Sequence, residues 1–222
     1  MSKNYRLSRR QLLEMGLALS GFAVSPQLNS LSAQTARKPT ADQVSGPFYP
    51  VTKPLDQDAD LTVIRGKPGK AQGQVIHLKG RVLNLNDHPI SGAQVEIWQA
   101  NTFGRYTHPG DTNPAPLDPN FEGYGVTMTD AEGRYEFKTI KPGPYPASEG
   151  WIRPPHIHFA VTSSSHRLIT QLYFEGEPLN EKDLLLKNTV NKESLITKLT
   201  PSTKDAEPDV LIASWDIVLR QM

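Results

Sequence analysis

The sequence predicts an all-β protein, an antiparallel two-sheet β-sandwich with an extended N-terminal arm and long loops. Three observations predict it. The 222 residues include 19 prolines and 16 glycines, which punctuate the chain too often for long helices and suit short strands joined by turns. Apolar and polar residues alternate over several short segments, the period of a strand with unlike faces. Turn-forming residues stand between those segments.

The elements follow in order. Ser8-Arg9-Arg10-Gln11-Leu12-Leu13 precedes an apolar stretch from Met15 to Val24, which reads as a twin-arginine export signal. The stretch is about half the roughly 20 residues that a membrane span requires, so no permanent anchor is expected. Residues 1–33 are assigned to this signal, with Ser32 and Ala33 as small residues for cleavage, and a periplasmic location is expected. Residues 34–74 are polar and without periodicity and read as an arm laid over the domain, with Gly46-Pro47-Phe48-Tyr49-Pro50 as a docked aromatic turn. Residues 75–222 form the sandwich. Its strands are read at Val75–Leu83, Val95–Gln99, Arg134–Lys138, His156–Val161 and Ile169–Phe174, with a closing strand over Asp209–Leu219. The one short helix is expected around Glu181–Lys187.

Composition excludes several functions. The formal net charge of +1 offers no field for nucleic acid or an anionic membrane. No cysteine is present, so disulfides, iron–sulfur clusters, thiol nucleophiles and thiolate zinc sites are excluded. Any metal must be held by His, Asp, Glu, Tyr or main-chain oxygen.

The chemistry concentrates in Arg153-Pro154-Pro155-His156-Ile157-His158-Phe159. Residues i and i+2 of a strand share a face, so His156 and His158 project together while Ile157 and Phe159 face the opposite layer. Such a pair suits a bidentate metal clamp, although ordinary strand surface stays open on spacing alone. A carboxylate would complete the common iron(II) triad, but His156–Phe159 holds none and Glu149 lies in a loop. The neighbouring loops offer tyrosines: Tyr106 in Gly104-Arg105-Tyr106-Thr107, and Tyr145 in Lys141-Pro142-Gly143-Pro144-Tyr145-Pro146. A phenol ionises near pH 10, so ligation as phenolate calls for a strong Lewis acid, and hard, trivalent Fe(3+) is the obvious one. Simple aromatic packing of both tyrosines stays open at this point.

Asp130 to Tyr145 and His156 to Phe159, with Trp98-Gln99-Ala100-Asn101, Gly104-Arg105-Tyr106 and Leu117-Asp118-Pro119-Asn120-Phe121, resemble the intradiol ring-cleavage dioxygenases. Within them the likeness is greatest to β-type chains of the protocatechuate 3,4-dioxygenase branch, over roughly Gly46 to Gly176. The resemblance implies ferric iron held by Tyr106, Tyr145, His156 and His158. It implies active-site roles for Arg153, for Gln171 and for Tyr145, the ligand released when the diol binds. On their own, Arg153 reads as a rim ion pair and Gln171 as an exposed strand residue. An aromatic diol and O2 are the implied reactants, a muconate-type diacid the product, and a homo-oligomer or a hetero-oligomer with a related chain the implied assembly.

Two other readings compete. Gly80–Val95 and Thr129–Tyr145 also resemble transthyretin-like and carboxypeptidase-regulatory-like sandwich modules, which bind or support without iron. A zinc or copper hydrolase would combine His156 and His158 with His77, His88, His108 or His166. Of these, His108 is the best placed to line a pocket.

Overall fold

The computed structural model describes residues 37–203 and 209–220. The stretch assigned to the export signal, 1–33, lies outside the described residues. Twelve strands occur among them. These are β1 (Val75–Asn84), β2 (Gln94–Trp98), β3 (Tyr124–Met128), β4 (Arg134–Ile140), β5 (Tyr145–Ser148), β6 (Trp151–Arg153), β7 (His156–Thr162), β8 (Arg167–Phe174), β9 (Ile196–Thr197), β10 (Leu199–Pro201), β11 (Leu211–Ser214) and β12 (Ile217–Leu219). The helix expected at Glu181–Lys187 is divided. A 3-10 turn at Asn180–Lys182 is followed by one α-helical turn, α1 (Leu184–Lys187), whose first turn is capped by Asp183 accepting from the Leu186 N–H.

One sheet is built on β1, with β4 antiparallel along one edge and β11 and β12 along the other, β10 lying outside β11. The second runs β3-β2-β7-β8-β9, and β5-β6 is a separate hairpin. Their facing sides supply the core. Ile76 and Leu78 of β1 and Phe137 of β4 join Val95 and Ile97 of β2, Ile157, Phe159 and Val161 of β7, and Leu172 of β8 in one buried cluster. Burying each such side chain contributes roughly 1.5–3 kcal/mol, which is why the alternation sets the register.

The sheets are not wholly antiparallel. β11 and β12 run parallel to β1, and β9 runs parallel to β8. Each of these strands reaches its partner after a long excursion instead of a hairpin, so direction is free to match. The closing strand read over Asp209–Leu219 is two strands in one continuous register, with Lys79 opposite Ser214 and Val82 opposite Ile217. Between them the Trp215 N–H donates to Lys79 O at 2.9 Å, and Asp216 Oδ1 accepts the Arg81 N–H at 3.0 Å. Gly80 makes the crossing possible, since a Cβ there would lie 1.7 Å from Trp215 O.

From Arg37 onward the arm runs along the sheets. Its backbone is pinned by hydrogen bonds to Val218, Ile169, Val126 and Lys138, so it covers strand edges that would otherwise present open ladders. Where it crosses β3, the carboxylates of Asp56, Asp58 and Glu122 converge within 4.8 Å of one another. Burial first, then repulsion by Asp56 and Asp58, pushes the Glu122 carboxyl up to about 7.

Gly80→Ala is expected to part β1 from Trp215 and cost roughly 2–4 kcal/mol, read as a lower urea midpoint. For Glu122 the sign follows from linkage. The unfolded carboxyl ionises near pH 4.5 and the folded one near 7, so the folded state holds the extra proton and stability falls as pH rises between them. Glu122→Gln should therefore raise the melting temperature at pH 8 and match the parent near pH 4. An equal gain at both pH values would refute this origin.

Candidate metal centre and active site

Ile157, Phe159 and Val161 of β7 enter the core, so His156 and His158 leave the same strand on the outer face of the second sheet. Neither ring is exposed, at 2% and 1%. Cross-strand neighbours fix their planes. His158 stands opposite Trp98 and Gln171, and its ring stacks on Trp98 at 4.9 Å and 9°. His156 stands opposite Tyr173 and stacks on it at 5.7 Å and 29°. Pro154 O lies 2.7 Å from His156 Nδ1. A carbonyl only accepts, so Nδ1 carries the hydrogen and Nε2 keeps its lone pair. Burial first, then the charge of Arg153, holds both imidazoles neutral, His158 down to about 3 and His156 well below its usual value. The neutral ring is the form that ligates a metal.

Tyr106 arrives on the loop after β2 and Tyr145 at the start of β5, just after the 141–144 loop, 39 positions apart in the sequence. Glycine joins those loops. A Cβ on Gly104, whose φ is +79°, would lie 2.1 Å from Pro144 O, and one on Gly143 would lie 2.4 Å from Thr102 O. Asn101 is the hub. Its Oδ1 accepts from the Phe103 and Arg105 N–H groups, and its O accepts from Gly104 and Gly143. Gln99, buried beside it, donates to Ile140 O at 2.9 Å and accepts from Thr139 Oγ1 at 2.9 Å. The Trp98-Gln99-Ala100-Asn101 segment therefore packs and ties loops together.

The result is a closed ring of four aromatic side chains. Centroids lie 5.5 Å apart for Tyr106–Tyr145, 5.5 Å for Tyr145–His156, 4.9 Å for His156–His158 and 6.3 Å for Tyr106–His158. All four sequence-predicted ligands are brought together. Tyr106 Oη is buried and has no hydrogen-bond partner. An orphaned phenol oxygen costs stability unless something bonds to it. Burial above all raises both phenols above their ordinary range, Tyr106 the more strongly, so ionising them takes a strong positive charge close by. Two hard phenol oxygens, two neutral imidazoles and no carboxylate in the ring fit a trivalent hard cation such as Fe(3+) better than zinc or copper.

Arg153 is not a rim ion pair. Its guanidinium is buried and every nitrogen is engaged. Nε donates to Asp183 Oδ2 at 2.9 Å, Nη2 to Gln171 Oε1 at 2.9 Å and Tyr173 Oη at 2.7 Å, and Nη1 faces His156 Nε2 at 3.0 Å. Burial opposes its charge, but Tyr173, Asp183 and Tyr145 outweigh it and keep the group protonated. Gln171 is fully buried, not exposed, and its Nε2 donates to Val44 O of the arm at 2.8 Å. The remaining histidines do not join the ring. His77 pairs with Glu136 on the other sheet, and His88 and His166 sit in turns. His108 packs on Phe48 at 5.7 Å, at the edge of the site. Phe48 in turn lies 4.7 Å from the Tyr106 ring, and Tyr49 donates to Glu96, so the aromatic turn is docked against the site.

Sequence reasoning missed Asp183, Tyr173 and Trp98. The i+2 rule applied across strands could have found Trp98 and Tyr173 once the register was known. Asp183 has no spacing signal. It reaches Arg153 from 30 positions away, and its only local mark is that it precedes the Leu184-Leu185-Leu186 run as a helix cap.

The fold and the ring of donors define a β-sandwich that carries, on the outer face of one sheet, a buried cluster of four side chains able to hold a metal. Residues 44–221 match the family model described as "Dioxygenase". The protocatechuate 3,4-dioxygenase beta chain of Burkholderia cepacia is 45% identical over 174 residues, covering 75% of this chain and 72% of that protein. Catechol 1,2-dioxygenase of Candida albicans is 30% identical over 158 residues, 65% of this chain and only 50% of that longer protein. The solved dioxygenase domain of a dioxygenase–carbohydrate-binding fusion from Streptomyces sp. SirexAA-E superposes with a TM-score of 0.63 at 28% identity, covering 83% of this chain and 100% of that one. The chain belongs to the intradiol ring-cleavage dioxygenase family.

Breaking the Arg153–Asp183 pair strands a buried charge. Asp183→Asn is expected to cost about 3–5 kcal/mol, measured by urea denaturation. A cost below 1 kcal/mol would show that solvent reaches the guanidinium.

Proposed function

We propose that this protein is an Fe(3+)-dependent intradiol dioxygenase. It would place both atoms of O2 between the hydroxyl-bearing carbons of a catechol- or protocatechuate-type diol and give a muconate-type diacid. The observation that carries the reading is the Tyr106–Tyr145–His156–His158 ring with its orphaned, buried Tyr106 oxygen. Ferric iron bound there supplies Lewis acidity and a template for diol and O2.

The protein groups do the rest. Trp98 and Tyr173 hold the imidazole planes, and Pro154 O fixes the His156 tautomer. Tyr145 lines the mouth of the site, where its oxygen, if held as phenolate by bound iron, would be placed to take a proton from the entering diol. Arg153, held by Asp183, offers a fixed positive charge against negative charge that develops on the substrate. Gln171 ties the arm to this network, and Phe48 keeps water from the Tyr106 side.

The twin-arginine reading of residues 8–13 makes this an exported enzyme, folded before transport and acting in the periplasm. The 45% identity to a beta chain supports assembly with a related chain or with copies of itself.

The iron-loaded protein should absorb visible light through tyrosinate-to-iron charge transfer and shift that band when a diol is added. Tyr106→Phe and Tyr145→Phe should each alter the band and lower ring cleavage, read as O2 uptake, by at least about a hundredfold. A colourless protein that takes up zinc stoichiometrically would sink the proposal.

A further inference from the structure

The wall of the substrate cavity carries information about the ring that enters it. The cavity holds about 660 Å³ and opens onto Tyr145 between the arm, the 110–114 loop, the β5–β6 hairpin and α1. A diol whose hydroxyls face the four-residue ring must lay its far edge against this wall. Much of the wall is apolar, with Pro47, Phe48, Pro146, Ala147, Trp151 and Leu185. Apart from Tyr145, its ionisable members among the described residues are Arg153 and Asp111.

Neither can pair with a carboxylate on the ring. Arg153 is turned toward His156 and the donor ring, its Nε and Nη2 are held by Asp183, Gln171 and Tyr173, and the fully buried Asp183 already balances its charge. Asp111 is itself an anion. Its oxygens accept the Tyr106 N–H at 2.7 Å and the Asn113 N–H at 2.9 Å, which fixes the charge at the cavity edge. With Arg153 paired to Asp183 behind the wall, Asp111 is the charge on this lining without an ion-pair partner among the described residues. A ring carboxylate would lose water, find no unpaired cation on the wall and face a like charge. Neutral substituents meet no such obstacle.

We infer that this chain is selective for diols with an uncharged ring, catechol or its alkyl, halogen or hydroxyl derivatives, and discriminates against ring carboxylates such as protocatechuate. The inference rests on the dioxygenase reading and narrows it. It also sets this chain apart from the relative with which it shares 45% identity.

The test uses the iron-loaded full chain without any second chain, with O2 uptake followed on catechol and on protocatechuate. The expected kcat/KM for catechol exceeds that for protocatechuate by at least about tenfold, the scale of one uncompensated like-charge contact. Thr112→Lys and Ala147→Arg each place a cation on an exposed position of the cavity wall. Each is expected to raise the protocatechuate-to-catechol ratio by about tenfold, whereas Thr112→Ser should leave the ratio where it was. If the parent cleaves protocatechuate as well as catechol, the inference falls while the dioxygenase reading stands. If the coloured, iron-loaded protein cleaves no diol, the dioxygenase reading falls and takes the inference with it. If catechol is preferred but neither cation moves the ratio, the cavity charge does not set the preference and the inference is overturned.

Discussion

Six of the seven residues of β7 are buried, and they belong to two unlike environments. On one face Ile157, Phe159 and Val161 fill the space between the sheets. On the other, two imidazoles must be kept from water while staying uncharged. A sheet's outer face is normally wet, so this second demand needs a cover that the sandwich does not supply. The arm, the loop after β2 and the β5–β6 hairpin provide it, and much of the irregular chain is explained by that requirement. The Gly46–Pro50 turn lies over His158 and Tyr106, and glycine suits position 46 because its φ is +67° and a Cβ there would lie a tight 3.1 Å from the His158 ring.

Burial of the imidazoles makes the electrostatics of the site interdependent. Burial above all, and then a guanidinium 3.0 Å from His156 Nε2, keeps that ring neutral, but a buried guanidinium is itself costly. Asp183 offsets the cost, and Tyr173 and Gln171 take the remaining donors. Asp183 also caps α1, whose Leu185 lines the cavity. One carboxylate thus connects the charge that faces the substrate with a helix that shapes its entrance. A change at Asp183 would be felt in stability, in the histidine network and in the cavity wall together, so it cannot be reduced to a single pairwise contact.

Periodicity made the central strands legible. Alternation located β1, β2, β4, β7 and β8 and placed the histidines on one face, because burial on the core side allows only one register. It failed where local pattern does not decide structure. β5, β6, β9 and β10 are two to four residues long, too short to show a period, and β3 begins with Tyr124-Gly125-Val126, where glycine hides the alternation. The segment Asp209–Leu219, read as one closing strand, is two strands that keep a single register on β1, because the break at Trp215–Asp216 depends on a glycine 135 positions upstream. Among the site residues, the histidine pair could be read from spacing, while the tyrosines needed a family likeness to be singled out. Asp183 could not be found either way, since nothing local distinguishes a carboxylate that caps a helix from one that also holds a buried arginine.

Apart from Tyr145, which belongs to both, the donor ring and the exposed part of the cavity wall have different owners in the chain, and that separation has a consequence for specificity. Tyr106 and Tyr145 are locked to each other through Gly104, Gly143 and Asn101, and the histidines through β2 and β8. Substitution at any of these positions disturbs the ring itself. Thr112, Pro146 and Ala147 border the same cavity from exposed positions, and Leu185 borders it from a one-turn helix. Their side chains can therefore change with little cost to the fold. A wall free to vary around a fixed set of donors lets related chains keep one reaction while choosing different diols. In this chain the wall is apolar, with Asp111 as its uncompensated charge. Identity of 45% over 174 residues to a beta chain leaves more than half of the matched positions free to differ, and exposed wall positions are the cheapest of them to change.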